Sequence, residues 1–212
     1  MRKMVNKKLH ELLLKTDYDE LLSIDEPSTI VRSLISISYD KSELIAWRSI
    51  EAIGRVAALV SLESPEFGRN IIRRLIWSIR DESGGIGWSA PEMIGEIVRN
   101  NSAMYTDIPQ ILWSFMEEEF LQKGIIWAVG RIAESSPELV QFSIPELKEY
   151  CVKARPDMRL YAVWALCKFG IIPELAQDSE NITAYLYEDT QYKEVSLREI
   201  ISKCKNSNEI KR

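Results

Sequence analysis

The sequence predicts an all-α fold, an α-solenoid of about four to five helix pairs. Three observations predict it. Apolar residues recur at helical spacing along nearly the whole chain. Four segments superpose without gaps: "WRSIEAIGRVA" (47–57), "WSAPEMIGEIV" (88–98), "KGIIWAVGRIA" (123–133) and "LYAVWALCKFG" (160–170). Their small residues Gly54, Gly95, Gly130 and Cys167 align, at steps of 41, 35 and 37 residues. Ile-Pro also recurs in the helices that precede the last two, at Ile108-Pro109 and Ile144-Pro145, 36 residues apart. A small residue in the middle of each second helix lets the neighbouring helix approach closely.

The elements follow in order. Val5, Leu9, Leu12 and Leu13 predict a first helix, and Ile30, Leu34, Ile35 and Ile37 a second. "KSELIAWRSIEAIGRVAALVSL" predicts a long one. "SPEFGRNIIRRLIWSIRDE" begins with Ser64 as N-cap and Pro65 at the first helical position. Ser89 and Glu92 have capping-box spacing and start the helix after the glycines. "DIPQILWSFMEEEF", "LQKGIIWAVGRIAE", "SPELVQF", "SIPELKEYCVKA" and "DMRLYAVWALCKFG" continue the series, and Gly170 is placed to stop the last of them. "AYLYEDTQYKEV" is β-prone and predicts a short extended piece in a small irregular C-terminal segment. Ser196 and Glu199 then cap a final helix, and the tail "KNSNEIKR" is expected to fray. The expected organisation is one domain over 1–212, with N-terminal capping helices (1–40), repeats (41–170) and a C-terminal cap and tail (171–212).

At this point the chain resembles the HEAT-like (armadillo-type) repeat family, whose second helices commonly read "A-x-x-A-L-G-x-I/L-G". "AIGRVA" and "AVGRIA" match that phrase well, "MIGEIV" and "ALCKFG" loosely, and the resemblance covers about residues 40–170. The family includes adaptor scaffolds, bilin-attaching lyases and alkylated-base DNA glycosylases. The resemblance implies that the second helix of each pair lines a concave surface.

Composition narrows the function classes. A net charge of −5 argues against general nucleic-acid or anionic-membrane binding. The N-terminal stretch has no long apolar run, so neither a secretory signal nor a membrane span is expected, and a cytoplasmic home follows. Three cysteines (Cys151, Cys167, Cys204) make no disulfide framework, and Cys151 and Cys167 lie in apolar helical patterns as small hydrophobes. One histidine, His10, leaves neither a metal-ligand spacing nor a local triad. No catalytic residue, metal or cofactor is assigned.

With the aligned small residue as origin, positions −7, −3 and +1 share one helix face. They are Trp47, Glu51, Arg55; Trp88, Glu92, Glu96; Lys123, Trp127, Arg131; and Leu160, Trp164, Lys168. The opposite face, with Ile50, Ile53, Met93, Ile94, Ile126 and Val129, is the expected core. Four of the six tryptophans fall on this aromatic and charged ridge. Either each indole packs against its neighbour's ridge, or together they line a groove for a peptide or an aromatic ligand. Glu92 and Glu96 repel when both are ionised. Three readings stand for them: a ladder in which Arg55 and Arg131 flank Glu96, a carboxylate centre backed by indoles that holds a cation or polar ligand or acts as acid/base, or a solvated inert pair. "SGGIG" reads as a corner before a helix, since glycine closes tight turns; an anion cradle there lacks the P-loop lysine. The loop sets Trp88 at the groove rim beside Glu92, where Asp81 and Ser83 could meet a ligand.

The leading expectation is therefore a scaffold or adaptor that binds a protein or peptide along its concave face. Two alternatives rest on the resemblance. As in the bilin-attaching relatives, Trp47, Trp88, Trp127 and Trp164 could stack a planar pigment. As in the glycosylases, Trp88 and Glu92 pair a tryptophan with a carboxylate; but there the acid is usually aspartate in a strongly basic groove, whereas here the net charge is −5.

Overall fold

The computed structural model describes residues 2–80, 87–175 and 181–210. Among these the protein is predominantly helical, with ten α-helices and one two-stranded sheet near the C-terminus. No helix of the described residues is long and apolar enough to cross a membrane. The chain divides into two compact units, Met1–Tyr105 and Thr106–Arg212.

The first unit holds α1 (Arg2–Lys15), α2 (Pro27–Ile37), α3 (Leu44–Ser61), α4 (Pro65–Arg80) and α5 (Ala90–Asn100). Helix α3 is its axis and packs against the other four. Ala46, Trp47, Ile50, Ala52, Ile53, Val56 and Ala57 are all buried, so α3 is covered on more than one face. Its closest neighbour is α5. A Cβ on Gly54 would sit 2.5 Å from the Glu96 carbonyl oxygen and 2.7 Å from Asn100 Nδ2, so glycine is what lets the two backbones meet. Gly54→Ala must push α5 away, and is expected to lower the free energy of unfolding by about 1–3 kcal/mol in urea titration.

The second unit holds α6 (Ile108–Trp113), α7 (Glu119–Ala133), α8 (Ile144–Lys153), α9 (Pro156–Lys168), β1 (Thr183–Glu188), β2 (Gln191–Ser196) and α10 (Leu197–Ile210). Ile-Pro opens both α6 and α8, where a missing N–H costs nothing. Helix α9 packs against α7, α8, β1 and α10. Every residue from Leu160 to Leu166 is buried, because these neighbours cover α9 on all sides. Gly130 of α7 faces the Trp164 ring, into which a Cβ would project. The sheet is an antiparallel hairpin pairing Thr183 with Ser196 through Glu188 with Gln191. Asp189 and Thr190, with φ of 51° and 60°, form its two-residue turn, the left-handed type that matches strand twist.

Local signals at the C-terminal end behave as their chemistry dictates. Gly170 has φ 74°, with Gly170 N–H donating to Cys167 O and Ile171 N–H to Leu166 O, both at 3.0 Å; this is the Schellman closure of α9. Ser196 and Glu199 cap α10 reciprocally, at 2.9 and 3.2 Å. Three expectations are corrected. "SPELVQF" forms two 3-10 turns, Pro137–Leu139 and Gln141–Ser143, rather than an α-helix; the backbone leaves helical angles at Val140 between them, with φ −126° and ψ 5°. The helix begun at Ile108 ends at Trp113. The tail does not fray at Lys205, for α10 continues to Ile210, anchored by Ile200 and Cys204.

Candidate functional site

The first turn of α5 and the turn before α3 meet in the first unit. Asp40 accepts from Ser42 N–H at 3.1 Å and from the Ser42 hydroxyl, a side-chain-closed turn whose hydrogen bonds hold the Asp40 carboxyl below the usual carboxylate range. That turn presents Lys41. Its backbone carbonyl accepts from Trp47 Nε1 at 2.9 Å. Its ammonium donates to the Trp88 carbonyl at 2.6 Å and to Glu92 Oε1 at 2.7 Å. The Glu92 side chain is 2% exposed and that of Lys41 30%, so the pair is sealed at the carboxylate and open at the lysine. Glu92 lies in the first turn of α5, where the helix dipole favours negative charge. Its other oxygen, Oε2, is buried and has no hydrogen-bond partner among the described residues. Beside it Trp88 is 55% exposed.

The capping box expected of Ser89 and Glu92 does not form, and this correction is informative. The Ser89 hydroxyl donates to the Ser38 carbonyl at 2.7 Å, and makes no cap bond to α5. Both residues are instead drawn to the segment that follows α2. The spacing that reads as a helix start thus serves tertiary structure. Lys41 is the residue that sequence reasoning missed: a lone lysine in a loop carries no motif, and only the chain path brings it to Glu92.

The other ridge residues of this unit take separate partners. Trp47 is buried, so it lines no open groove. Glu51 accepts from the Tyr18 hydroxyl at 3.0 Å. Arg55 donates to both oxygens of Asp19, at 2.7 and 3.2 Å, which holds that carboxyl below its usual range. Arg55 is therefore no rung of a ladder on Glu96. Glu96 is fully buried, with Arg99 Nη1 at 3.4 Å, which also corrects the reading of a solvated carboxylate pair. Asp81 and Ser83, with Gly84 to Ile86 of the glycine loop, lie outside the described residues.

In the second unit the predicted indoles turn inward. Trp127 and Trp164 are stacked, centroids 6.3 Å apart and planes within 7°, and neither has an exposed face. The hairpin closes over them: Trp127 Nε1 donates to the Tyr187 carbonyl at 3.0 Å, and Trp164 Nε1 to Glu188 Oε1 at 2.8 Å. Residues 183–196 supply the cover that α7 and α9 alone do not, and no planar ligand can stack on these two rings while it is in place. Around them runs a chain of alternating charge. Arg131 lies over the Trp127 ring at 5.5 Å and donates to Glu134 at 2.9 Å. Lys168 bridges Glu134 at 2.8 Å and Glu188 at 2.6 Å, and Lys203 reaches Glu188 at 3.2 Å. Burial works against the charged form of both central groups. Glu134 and Glu188 outweigh it at Lys168, whose pKa is raised. Lys168, the Trp164 N–H and Lys203 outweigh it at Glu188, held down at about 2. The network is structural, since its members are saturated by one another.

Of the two charged centres, the Lys41–Glu92 pair alone combines a sealed carboxylate, an unmet oxygen and an exposed indole. No family model matches the chain. No solved structure matches it. An uncharacterized protein of Archaeoglobus fulgidus is 30% identical over 139 residues, which are 65% of this chain and 73% of the relative. The chain belongs to the same family as this archaeal protein.

Proposed function

We propose that the chain is a HEAT-like repeat scaffold that binds a protein or peptide segment at the edge formed by Lys41, Trp88 and Glu92. The observation that carries the reading is Trp88: more than half of its surface is exposed, yet its backbone is clamped by Lys41 and its neighbour Ser89 is tied to Ser38. A large aromatic side chain presented from a fixed backbone is the kind that dominates protein interfaces. A partner that lays an apolar or aromatic side chain on the indole can also bring an acceptor to the open side of the Lys41 ammonium, which Glu92 holds in place.

The repeat reading draws support from packing inside each unit. Gly54 admits α5 onto α3, and Gly130 admits α9 onto α7. Both occupy the aligned slot of the superposed segments. Each of α3, α5, α7 and α9 also packs on the helix before it in the chain, as helix-pair stacking requires.

A displayed random-peptide library selected on the protein tests the binding site. Peptides enriched on the wild type are expected to pair an apolar or aromatic residue with an acceptor side chain, and to lose at least about tenfold in affinity on Trp88→Ala. That variant removes an exposed ring and should keep its stability within about 0.5 kcal/mol. Peptides that bind Trp88→Ala and wild type equally overturn the proposal.

A further inference from the structure

A second feature is independent of that surface. Cys167 and Cys204 come from helices α9 and α10 and meet where α9 ends. Gly170 and Ile171 close the helix just beyond Cys167, and the Cys204 thiol points at the Ile171 carbonyl, 4.0 Å away. Helices α9 and α10 pack on each other, and the two thiols are near enough to act on one another electrostatically. Both line a cleft of about 420 Å³ together with Trp164, Lys168, Glu188 and Lys203. Cys151 is near enough to act on Cys167 electrostatically, but is fully buried, outside that cleft. Among the described residues no three His, Cys, Asp or Glu side chains are arranged to hold a metal ion.

We propose that Cys167 and Cys204 form a dithiol site that exchanges with an external disulfide of the glutathione class, stapling α10 onto α9. Two thiols that line one cleft between packed helices can be joined there by a ~2.05 Å bond. In the first step the Cys167 thiolate attacks one sulfur of R–S–S–R. A mixed disulfide forms on Cys167, and RS⁻ leaves with the two electrons of the broken bond. The Cys204 thiolate then attacks the Cys167 sulfur, the mixed S–S bond breaks, and a second RS⁻ leaves. The two cysteine protons pass to the two RS⁻. Two protein thiols are oxidised to one disulfide, and one small disulfide is reduced to two thiols. Cys167 starts the exchange because it is the more exposed of the two. Burial, with the neighbouring Cys204, pushes its thiol pKa well up. The thiolate is the attacking species, so the rate should climb roughly tenfold per pH unit between about pH 7 and 9.

The test uses the full chain, folded, with oxidised glutathione at a series of pH values, followed by tryptic mass spectrometry under non-reducing conditions. The expected product links residues 160–168 to 204–205 and is lighter than the two peptides by two hydrogens. Cys151→Ser should form it at the wild-type rate, whereas Cys167→Ser and Cys204→Ser should not form it. Oxidation should also slow amide hydrogen exchange along α10, a readout that does not rely on a variant. A Cys151 linkage, a product that stops at the glutathione adduct, or no oxidation of the folded chain would each overturn the proposal.

Discussion

Glu188→Ala is expected to destabilise the protein by about 3 kcal/mol. Three donors converge on this one carboxylate: Lys168 at 2.6 Å, Trp164 Nε1 at 2.8 Å and Lys203 at 3.2 Å. Removing it leaves a mostly buried ammonium with Glu134 alone and a buried indole N–H with no acceptor. Breaking a buried pair from one side costs about 3–5 kcal/mol; the retained Glu134 partner places this case at the lower end. The pH dependence follows from the same contacts. Glu188 is held at about 2, below the unfolded carboxylate value of about 4.3, so its contribution is complete above that value and is lost as pH falls through about 4.5 to 2. Lys168 is raised, so its share is complete below its unfolded value and is lost only as pH rises through its folded, alkaline pKa. Urea titrations should therefore show a constant gap between wild type and Glu188→Ala from neutral pH to about 5, closing below that. A gap under about 0.5 kcal/mol at neutral pH would contradict the account.

The second large effect concerns Lys41. Lys41→Met strands a carboxylate that is 2% exposed, with its Oε1 deprived of a donor and its Oε2 already without one. The expected loss is about 3 kcal/mol. Glu92→Gln should cost about 1 kcal/mol, because the 30% exposed ammonium of Lys41 can turn to water. The double variant should be more stable than Lys41→Met alone, since the stranded charge is gone. Additive losses in the double-mutant cycle would show that the two side chains do not depend on each other.

Much of the architecture is legible because it is written in local chemistry. Helix periodicity, the Ile-Pro starts, the Gly170 stop and the Ser196–Glu199 box all act within a few residues of where they stand. Two of the three aligned glycines are legible too, since Gly54 and Gly130 face neighbours that a Cβ would strike. Side-chain fate on the ridge is not legible. Trp127 and Trp164 repeat with the helical period of an exposed stripe, but their covering hairpin lies about sixty and twenty-five residues away, outside the repeat. Arg55 has the spacing to serve Glu96, yet the turn at Asp19 offers it a bidentate carboxylate. Glu92 reads as one of a pair with Glu96, whereas the group it meets is Lys41, which only the chain path brings to it.

The proposal that this pair and its neighbouring indole form a working surface is tested most directly by calorimetric titration of the best selected peptide. Wild type, Trp88→Ala and Glu92→Gln are compared with a distant surface variant, Val152→Ala, at 45% exposure. The account predicts at least about tenfold weaker binding for each of the first two variants and an unchanged affinity for the third, with all of them folded. Equal affinities across the set would contradict it.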